Sequence, residues 1–123
     1  PTYADVTLEV IDFFIERIAA CRKAGIQDIL LDPGFGFGKT AVHNFQLLNR
    51  LESFQLFDLP LLVGLSRKST IYRTLGCSPE EALNGSTVLH TIALLKGAHI
   101  LRVHDVKEAA EAVKLVNAYK NAI

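Results

Sequence analysis

The sequence predicts an α/β fold of three βα units with parallel strands, and two observations support this. Three short runs of branched apolar residues, DILLD, LLVGL and AHILRV, alternate with segments whose apolar residues recur at helical spacing. The segments between them are long enough for right-handed helical crossovers, which parallel strands require. Three units in 123 residues are few for an open doubly wound sheet and short for a whole (β/α)8 barrel. We therefore interpret residues 1–123 as one partial domain, nearly half of such a barrel.

The amino-terminal part of the chain is expected to form a helix, a strand and a second helix. Residues 5–24 carry apolar side chains at helical spacing, with Asp5 suited to cap the first turn and Gly25 following the last. The unbroken apolar run in DILLD indicates a strand that is buried on both faces. A second amphipathic helix is expected over about residues 42–54.

The second part of the chain repeats this alternation. After LLVGL, the stretch IYRTLG is expected to form one helical turn. Residues 78–81 read Ser-Pro-Glu-Glu, a capping box with proline at the first helical position, so a helix begins there and Asn84-Gly85 is expected to interrupt it. After AHILRV, Asp105 with Glu108 is expected to cap a last helix that ends near residue 121.

Composition restricts the class of partner. Acidic and basic residues number 13 each, so the chain lacks the basic surface that nucleic acids or anionic membranes attract. No apolar run approaches the roughly 20 residues that span a bilayer, and the amino terminus lacks a signal pattern, so a cytoplasmic location is expected. Cys21 and Cys77 show no metal-ligand spacing. Since the sequence contains no methionine, we expect it to be a piece of a longer chain.

The loop LDPGFGFGKT, residues 31–40, is the most unusual stretch. Gly38-Lys39-Thr40 matches the end of the nucleotide-binding pattern GxxxxGK[ST] and follows a strand. However, Pro33 occupies the first position and has no N–H to offer a phosphate, and Asp32 adds a negative charge. A P-loop-like nucleotide-binding module is therefore the less favoured alternative. Lys39 is interpreted as a surface residue and Asn44 as a helix-start residue.

Asp32 is the first candidate site residue because it ends a parallel strand, where ligands of α/β folds gather. Its carboxylate can accept two N–H donors from the guanidine-like edge of a heterocycle. The adjacent glycines, Gly36 among them, let the backbone approach a flat ring, and Phe37 can supply an aromatic face. The plain alternative is a turn residue in Asp-Pro-Gly.

Polar residues also follow the second strand. The segment GLSRKST places Ser66, Arg67, Lys68 and Ser69 at the equivalent position, and the plain alternative is a solvated basic turn. Lys68 can hydrogen-bond a carbonyl or ring nitrogen. Ser69, which opens a short helix, can hold a carboxylate on the backbone amides.

On the third strand, Ile100, Arg102 and His104 share one face by the two-residue period of a strand. An arginine within an apolar strand is costly unless it is paired, although an edge-strand position is an alternative. If this face points into a barrel, Arg102 can stack on an aromatic ligand or bind an anion. His104 can assist a phosphate leaving group.

Three motifs, LLDPGFGFGKT, LPLLVGLSRKS and GAHILRVHDV, resemble the last three βα units of the dihydropteroate synthase family in this order, over essentially the whole chain. The resemblance implies the C-terminal half of a pterin-binding TIM (β/α)8 barrel. It implies a transferase of folate biosynthesis, a sulfonamide target, that condenses 6-hydroxymethyl-7,8-dihydropterin pyrophosphate with p-aminobenzoate and releases pyrophosphate. It also implies a homodimer and Mg²⁺, with the metal ligands in missing amino-terminal units and none in this chain.

The resemblance assigns roles to individual residues on the pterin side. Asp32 would bind the amino-pyrimidine edge of the pterin, and Lys68 its oxygen and ring nitrogen. Arg102 would stack on the pterin plane, and His104 would help to hold the pyrophosphate. The expected catalytic residues are thus Lys68, Arg102 and His104.

On the p-aminobenzoate side, the resemblance implies that Phe37 borders the site and that Ser69 receives the carboxylate. Because about five βα units are missing, the 123-residue chain alone is expected to be inactive. A non-catalytic assembly fragment that keeps only the dimer surface is an alternative. A related pterin-binding methyltransferase domain is another, although SRKS and RVHDV argue against it.

Overall fold

The computed structural model describes residues 3–36 and 38–123. In these residues the chain forms, in order, α1 Val6–Lys23, α2 Ala41–Asn49, β1 Leu62–Val63, α3 Ser69–Leu75, α4 Leu83–Leu95, β2 Ile100–Leu101 and α5 Val106–Asn121. Short 3-10 helices cover Leu51–Phe57 and Pro79–Glu81. No helix in the described part of the chain has the length and apolar character needed to cross a membrane.

Three segments of the chain run parallel side by side, as the alternating pattern predicts. β1 pairs with β2, with Leu62 opposite Ile100, and an isolated parallel bridge joins Leu31 to Leu61 on the other side of β1. The regular strands are shorter than expected. The first segment stops pairing at once because the chain turns at Pro33, which has no N–H to continue the ladder.

The two faces of this array differ in burial. Leu31, Leu61 and Val63 point to the face that the helices cover, and each is almost completely buried. On the opposite face, 51% of Leu30 and 40% of Ile100 are exposed. The expectation that DILLD is buried on both faces is therefore wrong for this chain, since no element among the described residues covers the side of Leu30.

The first helix is confirmed to within one residue at each end. Asp5 caps it by accepting a hydrogen bond from the backbone N–H of Leu8 at 3.1 Å. The helix packs on the core through Phe14, whose ring meets Phe54 and Phe57 edge-on, with centroid distances of 5.6 and 6.0 Å. This aromatic cluster attaches α1 to the segment after α2.

The second helix ends earlier than expected. α2 stops at Asn49, and the chain continues as a 3-10 helix until Asp58, which adopts a left-handed conformation with φ of 52°. Leu51 and Phe54 in this segment are fully buried. Apolar spacing alone cannot distinguish these two helix types, because both bury one face.

The interruption before α4 also differs from the expectation. The capping box at Ser78 and Glu81 is present, but it starts a 3-10 turn, and the break falls at the buried Ala82 rather than at Asn84-Gly85. Gly85 instead lies in the first turn of α4, where an added Cβ would overlap the side chains of Ile71 and Leu75. Because Gly85 has no side chain, α3 and α4 can pack closely at this point.

Phe54 should be a major contributor to the stability of this fold. Replacing Phe54 with alanine is expected to lower the free energy of unfolding by about 3–5 kcal/mol, because a fully buried ring leaves a cavity. Urea unfolding of the chain measures this. Leu56→Ala is the matched control in the same segment, since Leu56 is 63% exposed and should change stability by less than about 0.5 kcal/mol. Equal losses in both variants would contradict the described core.

Candidate functional site

Asp32 and Arg102 meet at the carboxyl ends of the parallel segments. Asp32 follows the bridge residue Leu31, and Arg102 follows β2, so parallel pairing puts both at the same edge. The Nη1 atom of Arg102 lies 3.1 Å from Oδ2 of Asp32, and both side chains remain partly exposed. The structure thus brings together two residues that are 70 positions apart in the chain.

The guanidinium of Arg102 lies directly over the backbone of Gly64, one residue past β1. An ideal Cβ at Gly64 would come within 2.5 Å of Nη2 of Arg102. Glycine is therefore required at this point for the arginine to keep its position. The guanidinium therefore packs close to this backbone, while about half of the side chain stays exposed and can meet a ligand.

Lys68 joins this pair from the loop after β1. Its Nζ donates a hydrogen bond to the carbonyl oxygen of Phe35 at 2.7 Å. Burial lowers the pKa of Lys68, the positive charge of Arg102 lowers it further, and the charge of Asp32 opposes both effects. By its contacts with Phe35 and Gly36, Lys68 lies against the loop that follows Asp32. The three candidate pterin-binding side chains therefore converge.

The glycine loop after Asp32 follows a backbone path that ordinary residues avoid. Gly34 and Gly36 have φ values of 77° and 89°, in the region that favours glycine. Oδ1 of Asp32 accepts a hydrogen bond from the N–H of Gly34 at 3.0 Å. The stem of Lys68 passes 3.4 Å from the place that a Cβ at Gly36 would occupy. The loop is thus shaped around both charged residues.

This loop does not have the arrangement of a phosphate cradle. The N–H of Gly34 is used by Asp32, and the N–H of Gly36 donates to Oδ1 of Asn44 at 3.0 Å. Lys39 points back to the loop and donates to the carbonyl oxygen of Gly34 at 2.9 Å. Lys39 is only partly exposed, and burial lowers its pKa. The geometry argues against a P-loop-like module.

Asn44 is a positioning residue that the sequence analysis missed. Only 2% of its surface is exposed, and its side chain links Gly36 to Oγ1 of Thr70 in α3, at 3.0 and 2.8 Å respectively. It therefore ties the glycine loop to the helix that follows Lys68. The available signal was its helical spacing to Leu47, which places it on the buried face of α2.

The remaining candidates lie around this group. The backbone N–H and Nδ1 of His104 both lie 3.2 Å from Oγ of the buried Ser66, which holds the exposed histidine beside the loop after β1. Ser69 is the first residue of α3 and is partly buried. Phe37 lies outside the described residues.

Two pockets are lined by candidate site residues. One of about 440 Å³ is lined by Phe35, Gly36, Arg67, Lys68, Ser69, Tyr72 and Pro79. Another of about 340 Å³ contains Asp32 together with Lys39 and the ring of Phe13. The first is lined by both aromatic and polar residues, and the second by Asp32 together with apolar residues of α1.

The residues present do not fit a magnesium site. Within residues 3–36 and 38–123, no three His, Cys, Asp or Glu side chains converge in a way that could hold a metal ion. Asp32 is also engaged on both oxygens, by the N–H of Gly34 and by Arg102. We therefore derive no step through a metal held by this chain.

We expect Asn44→Ala to loosen the glycine loop. The substitution leaves the N–H of Gly36 and the hydroxyl of Thr70 without their buried partner, which costs about 1–3 kcal/mol of folding free energy. Urea unfolding measures this cost, and hydrogen exchange should become faster at the Gly36 amide. Asn49→Ala, at the exposed end of α2, is the control and should change neither quantity. Unchanged exchange at Gly36 would contradict the positioning role.

Comparison with known proteins places this geometry in a family. The profile described as "pterin binding enzyme" matches residues 1–104. The dihydropteroate synthase of Escherichia coli K12 is 55% identical over 99% of this chain and 44% of that protein. The chain thus spans less than half the length of this relative.

Two solved structures of the Xanthomonas albilineans dihydropteroate synthase superpose closely on the chain. The complex with 7,8-dihydropteroate has a TM-score of 0.96 at 42% identity, covering 100% of this chain and 48% of that one. The complex with 4-aminobenzoic acid has a TM-score of 0.97 at 42% identity, covering 100% and 46%. The chain's α/β fold with parallel strands therefore matches part of that enzyme's barrel. From the profile match and these likenesses together, we conclude that the chain belongs to the pterin binding enzyme family.

Proposed function

We propose that this chain is the carboxyl-terminal part of a dihydropteroate synthase in which it supplies three βα units of a (β/α)8 barrel. The reaction joins 6-hydroxymethyl-7,8-dihydropterin pyrophosphate to p-aminobenzoate. The observation that carries the proposal is the Asp32–Arg102 ion pair with Lys68 in its field, at the carboxyl ends of parallel strands. This is where barrel enzymes bind their substrates. The names of the similar structures add that related enzymes bind dihydropteroate and 4-aminobenzoic acid.

The uncovered face of the strand array supports the barrel. Leu30 and Ile100 are exposed there, and by the two-residue period they share their face with Asp32 and Arg102. The interior of an eight-stranded barrel is filled by such side chains, with the site at its carboxyl end. About five further βα units would bury the apolar part and leave the charged end open. The greater length of the relatives agrees with this requirement.

The pterin would be held by its edge and by its plane. The carboxylate of Asp32 can accept two N–H donors from the amino-pyrimidine edge once its present partners give way. Arg102 can stack on the bicyclic ring through the side of its guanidinium that faces away from Gly64. Lys68 can donate to the ring carbonyl and to a ring nitrogen. Edge, plane and carbonyl contacts together define one orientation of the ring.

The reaction then depends on orientation and charge. The amine nitrogen of p-aminobenzoate forms a bond to the exocyclic carbon of the pterin while the bond from that carbon to oxygen breaks. The electron pair leaves with pyrophosphate, and the new ammonium group loses a proton to solvent. Lys68, Arg102 and His104 place donors and positive charge near the departing anion, which stabilises charge that develops in the transition state. The mechanism requires no covalent nucleophile.

The p-aminobenzoate would bind in the pocket beside α3. Phe35 and Tyr72 line this pocket with aromatic surface, and Ser69 lies at its polar side. The carboxylate of the substrate would be received by Ser69 and the first turn of α3. Gly36 would let the loop backbone approach the substrate.

Assembly and completeness are also part of the proposal. Ile92, Leu95 and Tyr119 expose apolar surface on α4 and α5, which supports a homodimer formed through these helices. The isolated chain should be inactive because it lacks the other strands of the barrel. A fragment that only assembles would form the same contact but would bind no pterin, which separates the two candidates.

Asp32→Asn tests the pterin site. In a protein of the relatives' full length that contains this sequence, the variant should bind the pterin pyrophosphate about 10- to 100-fold more weakly, since a charge-assisted hydrogen bond contributes roughly 1.5–3 kcal/mol. Isothermal titration calorimetry measures the affinity. Asp28→Asn, at an exposed position of the segment that leads to Leu31, is the matched control. Equal affinity in all three proteins, or binding of ATP that Lys39→Ala abolishes, would overturn the proposal.

Gly64→Ala tests the placement of Arg102. Its Cβ must displace the guanidinium, whose flexible stem lets the protein fold, so we expect kcat/KM to fall about 10- to 100-fold with little change in melting temperature. The control is a double-mutant cycle. In an Arg102→Ala background, Gly64→Ala should have almost no further effect, and an undiminished effect there would show that the glycine acts through something else.

A further inference from the structure

Arg67 is a charged residue of the site region for which the proposed reaction gives no role. It lies between Ser66, which holds His104, and the site residue Lys68. Its φ is 52°, a left-handed conformation that is uncommon for a residue other than glycine. Such a conformation persists only where surrounding contacts determine it.

Those contacts come first from Asp105, the residue before α5. Nε and Nη2 of Arg67 donate to the two carboxylate oxygens of Asp105 at 2.8 and 3.0 Å, a bidentate pair. These hydrogen bonds raise the pKa of Arg67 and lower the pKa of Asp105. The sequence predicts that Asp105 caps α5, but its side chain makes no capping hydrogen bond. Both carboxylate oxygens of Asp105 bond to Arg67 instead of to the first turn of α5.

The rest of the Arg67 guanidinium is used for the protein backbone. Nη1 donates to the carbonyl oxygens of Pro79 and Glu80, both at 2.8 Å. The backbone N–H of Arg67 donates to Oγ of Ser86 in α4, also at 2.8 Å. Of the five N–H groups of a guanidinium, four are thus engaged internally. This arrangement suits a structural anchor better than a substrate ligand.

The position of the pair in the chain indicates what it anchors. Arg67 is covalently next to Lys68, and Asp105 is covalently next to His104. The hydrogen bonds between Ser66 and His104 join the same two segments a second time. The loop after β1 and the loop after β2 are therefore held in one relative position. One of these loops carries a proposed pterin contact and the other the proposed pyrophosphate contact.

We propose that the Arg67–Asp105 ion pair is a positioning clamp that sets Lys68 and His104 relative to each other, so that both act on one substrate at the same time. This rests on the proposed function. Arg67 lines the pocket proposed for p-aminobenzoate, but its guanidinium is engaged by Asp105 and by backbone carbonyls, so the clamp acts through the two loops rather than by binding substrate. It acts because an error of about 1 Å in the placement of a catalytic group can cost about 100-fold in rate.

The test uses a protein of the relatives' full length that contains this sequence. Arg67→Lys keeps the charge but cannot form the bidentate pair, and Asp105→Asn keeps the shape but loses the charge. Turnover of pterin pyrophosphate with p-aminobenzoate gives kcat and KM for each variant. Thermal unfolding shows what fraction of each variant is folded at the assay temperature. Arg50→Lys is the matched control, since it makes the same substitution in a more exposed ion pair, with Asp5, that joins neither Lys68 nor His104.

The decisive measurement is the coupling to His104. We expect Arg67→Lys and Asp105→Asn to lower kcat about tenfold or more, with the protein folded at the assay temperature. His104→Ala should then reduce kcat less in the Arg67→Lys background than in the parent, because the histidine is already misplaced. A merely stabilising ion pair would leave the His104→Ala factor unchanged.

The other outcomes each overturn the clamp. An unchanged kcat, an undiminished effect of His104→Ala, or an activity loss that only follows the loss of folded protein would do so. A rise confined to the KM of p-aminobenzoate would identify Arg67 as a substrate ligand instead. If the parent protein itself forms no dihydropteroate, the proposed function fails and the clamp with it. That result is distinct from a clamp failure, in which the parent is active.

Discussion

Parallel backbone pairing of three segments is the constraint on which the site depends. The bridge between Leu31 and Leu61 and the pairing of β1 with β2 align the carboxyl ends of all three. Asp32 and Arg102 follow directly and meet at 3.1 Å, and Lys68 donates to Phe35 in the loop after Asp32. A slip of one residue in either pairing would turn these side chains to the face that packs on the helices.

The site concentrates positive charge around one carboxylate. Arg102, Lys68 and Lys39 all lie within electrostatic range of Asp32, and burial lowers the pKa of both lysines. These three cations carry more positive charge than the single carboxylate can neutralise. A pterin that carries pyrophosphate would supply the missing negative charge, while its ring edge would take the place of the present partners of Asp32. Charge balance therefore agrees with a substrate that is neutral at one end and anionic at the other.

The loops at this edge owe their shape to side chains acting on backbone. Asn44 binds the glycine loop to α3, and Arg67 binds the loop after β1 to the start of α5. Neither role could be inferred from local pattern. Asn44 was interpreted as a helix-start residue and Asp105 as a cap, because both are ordinary in those positions. Asn44 bonds to Gly36, 8 residues away, and to Thr70, 26 residues away, whereas Asp105 bonds to Arg67, 38 residues away, so only the folded chain shows these roles.

Local sequence determined the order of helices and strands, the first helix with its cap, and the choice of Asp32 and Arg102, because periodicity and strand ends are local properties. Tertiary structure decided where α2 gives way to a 3-10 helix, that Gly85 permits helix packing, and that one face of Leu30 stays uncovered. These features depend on which segments of the folded chain pack against one another. The spacing of apolar residues along the chain cannot predict how distant segments pack, because such packing depends on residues far away in the sequence.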